Sequence, residues 1–162
     1  MSSSDPYRTL RPEGAKPADE LCRCQDAPPI VLQDHLSAVP LACLRCNGEI
    51  AVESIGFSTE LAEGLAGWRD LARGLELLWL DSGEYETWAS EELAQVDGPV
   101  ATRGLVLVAE LNKHRRAYLW WFQDAGADDF VPLSTCPRCD RNLVESYGRL
   151  VCDPCSVVVP NG

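Results

Sequence analysis

The chain has 162 residues, 46% of them hydrophobic, which fits one domain of ordinary size or a core with small appendages. No apolar run approaches the roughly 20 residues that span a bilayer, so no membrane-spanning helix is expected. The formal charge is −11, with 18 acidic and 7 basic side chains in residues 1–102 and seven of each in 103–162; such a surface repels a polyanion at long range and disfavours non-specific nucleic-acid binding.

The opening residues, Met1 to Pro6, show neither a basic nor an apolar region of a secretory signal. A cytoplasmic location is therefore expected, where thiols stay reduced and metal is favoured over disulfides. Residues 1–20 carry three prolines, three serines and no sustained periodicity, and read as a disordered lead-in. Cys22-Arg23-Cys24 follows, and eighteen residues later Cys43-Leu44-Arg45-Cys46-Asn47-Gly48. Two close cysteine pairs at this separation are what a tetrahedral four-thiolate site needs. The second pair is a good knuckle, with Gly48 expected to take positive φ after the last ligand. The first pair is one residue short of the usual spacing. His35 is the one histidine in range to replace a cysteine, and a solvated loop histidine is the simpler reading. Between the pairs, Ile30-Val31-Leu32 reads as a short strand after Pro28-Pro29, and 34–40 as a loop.

Residues 57–80 read as a helix. Ser58 is placed to cap it, and Leu61, Leu65, Trp68, Leu75 and their neighbours repeat at helical spacing. The Asp81-Ser82-Gly83 break precedes a second helix over about 84–95, ended by Gly98-Pro99. Two β-rich runs are then expected, 105–111 and 117–122, joined as a hairpin by Asn112-Lys113-His114-Arg115-Arg116. Both faces of these strands are mostly apolar, which predicts a sheet covered on both sides. The adjacent Trp120 and Trp121 would put one ring on each face. Asp81, Glu84 and Glu86 form an acidic group best read as residues attracted to a helix N-terminus.

The last segment carries the strongest signal. Cys136-Pro137-Arg138-Cys139 and Cys152-Asp153-Pro154-Cys155 stand twelve residues apart, enough for a hairpin of 143–145 and 149–151 turning at 146–148. This is a zinc-ribbon spacing. Four thiolates saturate Zn²⁺ and leave no position for water, so both sites read as structural and the chain as non-enzymatic. Two Zn²⁺ ions are expected, with iron at one site a minor alternative because the same ligands accept it. The spacing leaves open whether each site forms within one end or across the two ends.

The cysteine order, the segment Leu78 to Trp88 and the run Tyr118-Leu119-Trp120-Trp121-Phe122 together resemble an uncharacterised bacterial family of zinc-ribbon-containing proteins described as candidate nucleic-acid binders. The resemblance covers about residues 20–160. It implies metal at Cys22, Cys24, Cys43 and Cys46 and at Cys136, Cys139, Cys152 and Cys155.

The expected fold is α+β, with small central helices and an antiparallel sheet flanked by two zinc-ribbon or knuckle modules. The expected units are the lead-in over 1–20, a four-cysteine module over 21–56, a central α+β region over 57–131 and a zinc ribbon over 132–162. The expected role is binding, foremost of another protein, without a membrane. The alternative is a nucleic-acid binder using Lys113, Arg115, Arg116, Arg138, Arg141 and Arg149.

Overall fold

Ser58 sets the start of the longest helix: its Oγ accepts the Leu61 N–H at 3.2 Å, satisfying one free donor of the first turn. In the computed structural model, which describes residues 5–11 and 16–161, this helix, α1, runs Thr59–Asp81 and buries Leu61, Leu65, Trp68, Ala72 and Leu75 on one stripe. Helix α2 spans Glu86–Ala94 and α3 spans Pro99–Leu111. The strands are β1 (Ile30–Leu32), β2 (Leu41–Cys43), β3 (Ala117–Trp120), β4 (Val144–Ser146), β5 (Arg149–Cys152) and β6 (Val157–Val159). Among the described residues no helix is long and apolar enough to cross a membrane.

The fold is α+β, with the six strands in one sheet ordered β2-β1-β3-β6-β5-β4. The sheet is mixed and not antiparallel throughout. β3 lies parallel to β1 on one side and to β6 on the other, while the outer pairs β1–β2, β6–β5 and β5–β4 are antiparallel. The crossover from β1 to β3 contains all three helices, and it is their length that allows the parallel pairing. Strands from both cysteine-bearing segments thus flank β3. The main core lies between the sheet and the helices, and Leu119 and Trp121 enter it. The opposite face holds a smaller buried cluster of Val31, Leu44, Tyr118, Val151 and Val158, with Trp120 packed against it. The two tryptophans therefore do point to opposite faces, and the sheet is buried on both.

The segment 105–111, expected as a strand, is the body of α3, and 112–116 joins a helix to a strand. Alternation is uninformative in a run where nearly every residue is apolar. The helical reading shows one step earlier. Gly98 and Pro99 form an N-terminus, Pro99 standing where its missing N–H costs nothing. Buried Val100, Ala101, Gly104, Val108 and Leu111 then recur at spacings of one, three, four and three. Gly104 is needed where α3 crosses α1 and the sheet. A Cβ there would lie 2.8 Å from Leu119 Cδ1 and 2.9 Å from Trp68 Nε1, and Trp68 Nε1 already donates to Val100 O at 2.9 Å.

The disordered lead-in is corrected in part. Residues 1–4 and 12–15 lie outside the described residues, but Leu10 is 0% exposed in the main core. Tyr7 packs edge-on against Phe57 with ring centres 5.4 Å apart and donates to Phe57 O. Arg69, buried on α1, donates to Thr9 O and Ala38 O. One buried cation thereby pins both the N-terminal segment and the β1–β2 loop. The next turn repeats the device: Arg73 pairs at 2.6 Å with Asp34, whose side chain is fully buried.

Glu76 lies beside this pair. Burial, the Asp34 charge and a hydrogen bond to Asp34 push its carboxyl up to about 8 against Arg73, from an ordinary 4.5. Folding therefore favours protonated Glu76. This contribution is complete below about pH 4.5 and is lost as pH rises through about 8. Between pH 6 and 9 the parent Tm should fall more than that of Glu76→Gln, as read by thermal melts. Gly104→Ala should cost about 1–3 kcal/mol by overpacking. Gly67→Ala, on the exposed side of α1 with nothing within 4 Å of an added Cβ, should gain about 0.5–1 kcal/mol; denaturant midpoints separate the two.

Candidate metal centres

Each cysteine-bearing end brings its own four sulfurs together. Cys22, Cys24, Cys43 and Cys46 form one group and Cys136, Cys139, Cys152 and Cys155 the other, with ligand atoms in each all within 4.8 Å of one another. Neither site is shared between the two ends, which settles the pairing the spacing left open.

All three Cys-x-x-Cys segments use one backbone solution, a residue of positive φ directly after the second cysteine. Asn47 (φ 60), Asp140 (φ 61) and Ser156 (φ 55) hold that place. Asn and Asp tolerate this region better than other side chains, because their short polar groups bond locally. The turn returns the chain on itself: Asn47 N–H donates to Cys43 O and Asp140 N–H to Cys136 O, each at 2.9 Å. It also aims donors at sulfur. Gly48 N–H lies 3.4 Å from Cys46 Sγ and Arg138 N–H 3.4 Å from Cys136 Sγ. Asn47, not the expected Gly48, takes the left-handed conformation. Gly48 serves closeness instead, since a Cβ on it would stand 2.9 Å from the Cys22 backbone nitrogen. That approach, with the Cys22 N–H to Glu49 O bond of 2.7 Å, seats the short Cys-x-C pair against its knuckle.

In the C-terminal group, Cys136 N–H donates to Arg141 O at 2.8 Å. Cys152 ends β5, and the hairpin β4–β5 forms as expected, turning through Tyr147 (φ 51) and Gly148 (φ 76). Two successive positive φ values match the right-handed twist of the strands.

The donor chemistry fits a thiophilic cation. Cys139 Sγ and Cys152 Sγ stand 3.7 Å apart, beside an edge of about 3.8 Å for a tetrahedron with Zn–S bonds of about 2.3 Å. Without a cation the thiols compete for charge. The Arg141 N–H holds Cys139 down at about 7, while burial and the neighbouring thiols push Cys155 up to about 12. In the other group burial sends Cys22 up to about 12, whereas the Gly48 N–H and the neighbouring thiols bring Cys46 below its ordinary value against burial. Four sulfurs this close cannot all ionise alone. Each group can hold one metal ion.

His35 belongs to neither group. It is mostly buried near Glu49, Lys16, Asp34 and Arg73, and burial lowers its basicity. Glu86 serves locally, accepting the Gly83 N–H at 3.2 Å ahead of α2.

The basic residues do not gather into one patch. Lys113 pairs with Glu110 on α3 at 2.8 Å. Arg115 donates from Nε to Pro28 O at 2.7 Å, and lines a cavity of about 430 Å³ beside Cys22 and Cys24. Arg116 turns the other way, to Asp153 O at 2.7 Å and Ser156 Oγ at 3.2 Å around the last knuckle. Its guanidinium lies 4.4 Å over the Tyr118 ring, and that of Arg149 5.1 Å over Trp120. Arg138 and Arg141 are exposed. Sequence reading missed Arg45, which stands 4.6 Å over Tyr147 of the distant hairpin. Its only advance signal was its place inside a knuckle.

No protein-family model matches the chain, and searches of curated proteins and of solved structures find no match either.

Gly48→Ala should weaken metal binding at the N-terminal group about 10–100-fold, while Asn47→Gly should leave it intact, both read by competition with a chelator.

Proposed function

We propose that each four-cysteine group holds one Zn²⁺ in closed tetrahedral coordination, and that the chain is a non-enzymatic, cytoplasmic binding module for another protein. The observation that carries the metal role is the composition of the two groups: four sulfurs each and, among the described residues, no histidine or carboxylate ligand. Such a set favours zinc over harder cations and fills its coordination sphere. Bound Zn²⁺ would supply Lewis-acid neutralisation of the thiolates and so folding free energy, about 10–16 kcal/mol for comparable structural sites. The cysteines hold it, and the Gly48 and Arg138 N–H groups share the sulfur charge.

A protein partner is supported by the surface of the helices. From residue 74 to 102 the chain has seven carboxylates and no lysine or arginine, and Leu77, Leu80, Tyr85 and Trp88 are each about half exposed there. Large apolar groups left exposed among like charges favour a partner with basic and apolar side chains. Against nucleic acid, Arg115 and Arg116 are spent on main-chain carbonyls of the protein itself.

Elemental analysis of purified protein should give two zinc ions per chain. Cobalt substitution should give tetrathiolate spectra that added azide or imidazole leaves unchanged. A spectrum that shifts with azide would reveal an open position and defeat the structural role. A gel shift with RNA or DNA that weakens steeply with salt would replace the protein partner with nucleic acid.

A further inference from the structure

We infer that Arg45, Arg115 and Arg116 are positioning residues that couple the two metal centres, so that loading one raises the affinity of the other. Coupling presupposes that both groups bind metal, as proposed above.

Two independent bridges carry it. The first runs through the head of β3. Leu44, inside the N-terminal knuckle, donates its N–H to Pro29 O at 2.8 Å. Arg115 holds the preceding carbonyl, Pro28 O, at 2.7 Å. The next residue, Arg116, accepts the Ile30 N–H at its carbonyl, while its side chain reaches Asp153 O, Asp153 Oδ1 and Ser156 Oγ. Asp153 lies between the ligands Cys152 and Cys155, and Ser156 follows them. Asn112 Oδ1 accepts from Arg116 Nη1, and Tyr118 OH donates to Asp153, which fixes the guanidinium and the carboxylate it meets. Knuckle to knuckle, every link is a hydrogen bond or a peptide bond.

The second bridge is a stack between side chains of the two cysteine-bearing segments. Arg45 stands between the ligands Cys43 and Cys46, is ion-paired to Asp26 at 2.7 Å, and stacks 4.6 Å over Tyr147. Tyr147 is at the tip of the hairpin that leads into Cys152. Placing an ion in either group fixes its knuckle, and a fixed knuckle presents its bridge to the other in the bound arrangement. The ordering cost is then met once for two ions, which is how positive coupling arises without a change of fold.

The test is zinc titration of the full chain followed by native mass spectrometry, with chelator competition for affinities. At half loading the parent should populate empty and two-zinc chains with little of the one-zinc form. Arg45→Ala and Tyr147→Ala keep all eight thiols, and should shift the population toward one-zinc chains. Cys22→Ser/Cys46→Ser should lower zinc affinity of the C-terminal group about tenfold. Two ions bound with one-zinc chains dominant in the parent, and no response to Arg45→Ala or Tyr147→Ala, would overturn the coupling while leaving the metal sites standing. Failure of the parent to bind zinc at all would overturn both.

Discussion

Like charges at short range govern this molecule. Four sulfurs within 4.8 Å of one another, twice over, are stable as thiolates only around a cation. The fold brings each set together with backbone alone, through three turns that each carry a residue of positive φ after the second cysteine and one close approach at Gly48. The cysteine segments are not appendages of a finished core. Cys43 closes β2 and Cys152 closes β5, so each sulfur cluster is built on the sheet that also packs the helices.

The arrangement of β3 explains the behaviour of the basic residues. A central parallel strand needs its first residues held on both sides, where the neighbouring strands begin. Arg115 and Arg116 supply that hold in opposite directions. A pair of adjacent arginines looks like a phosphate site in a linear reading, because such a reading does not show what carbonyls stand nearby. Here the carbonyls come from residues 28 and 153, far apart in sequence and together only in the sheet.

Legibility followed the range of the interaction. The cysteine pairs, the Ser58 cap, the stripe of α1 and the ribbon hairpin depend on residues a few positions apart, and all could be read from the chain. The sheet order could not, because a parallel neighbour 87 positions away, Ile30 beside Ala117, leaves no local trace. Helix α3 was misread because its nearly unbroken apolar run over 104–109 hides the period, although Gly98-Pro99 marked its start. Leu10 was misread because a single anchoring side chain among prolines and serines makes no pattern. Arg45 and Tyr147 meet through the sheet, and neither residue advertises the other.

The position of β6 has a consequence for how the protein is made. The middle strand β3 borders Val157–Val159, so one of its two edges stays open until those residues, some forty positions later, have left the ribosome. The first cysteine cluster, complete by residue 46, can close during synthesis. Nascent chains therefore pass through a half-built stage with a bare apolar strand edge, a template for mispairing between neighbours on one message.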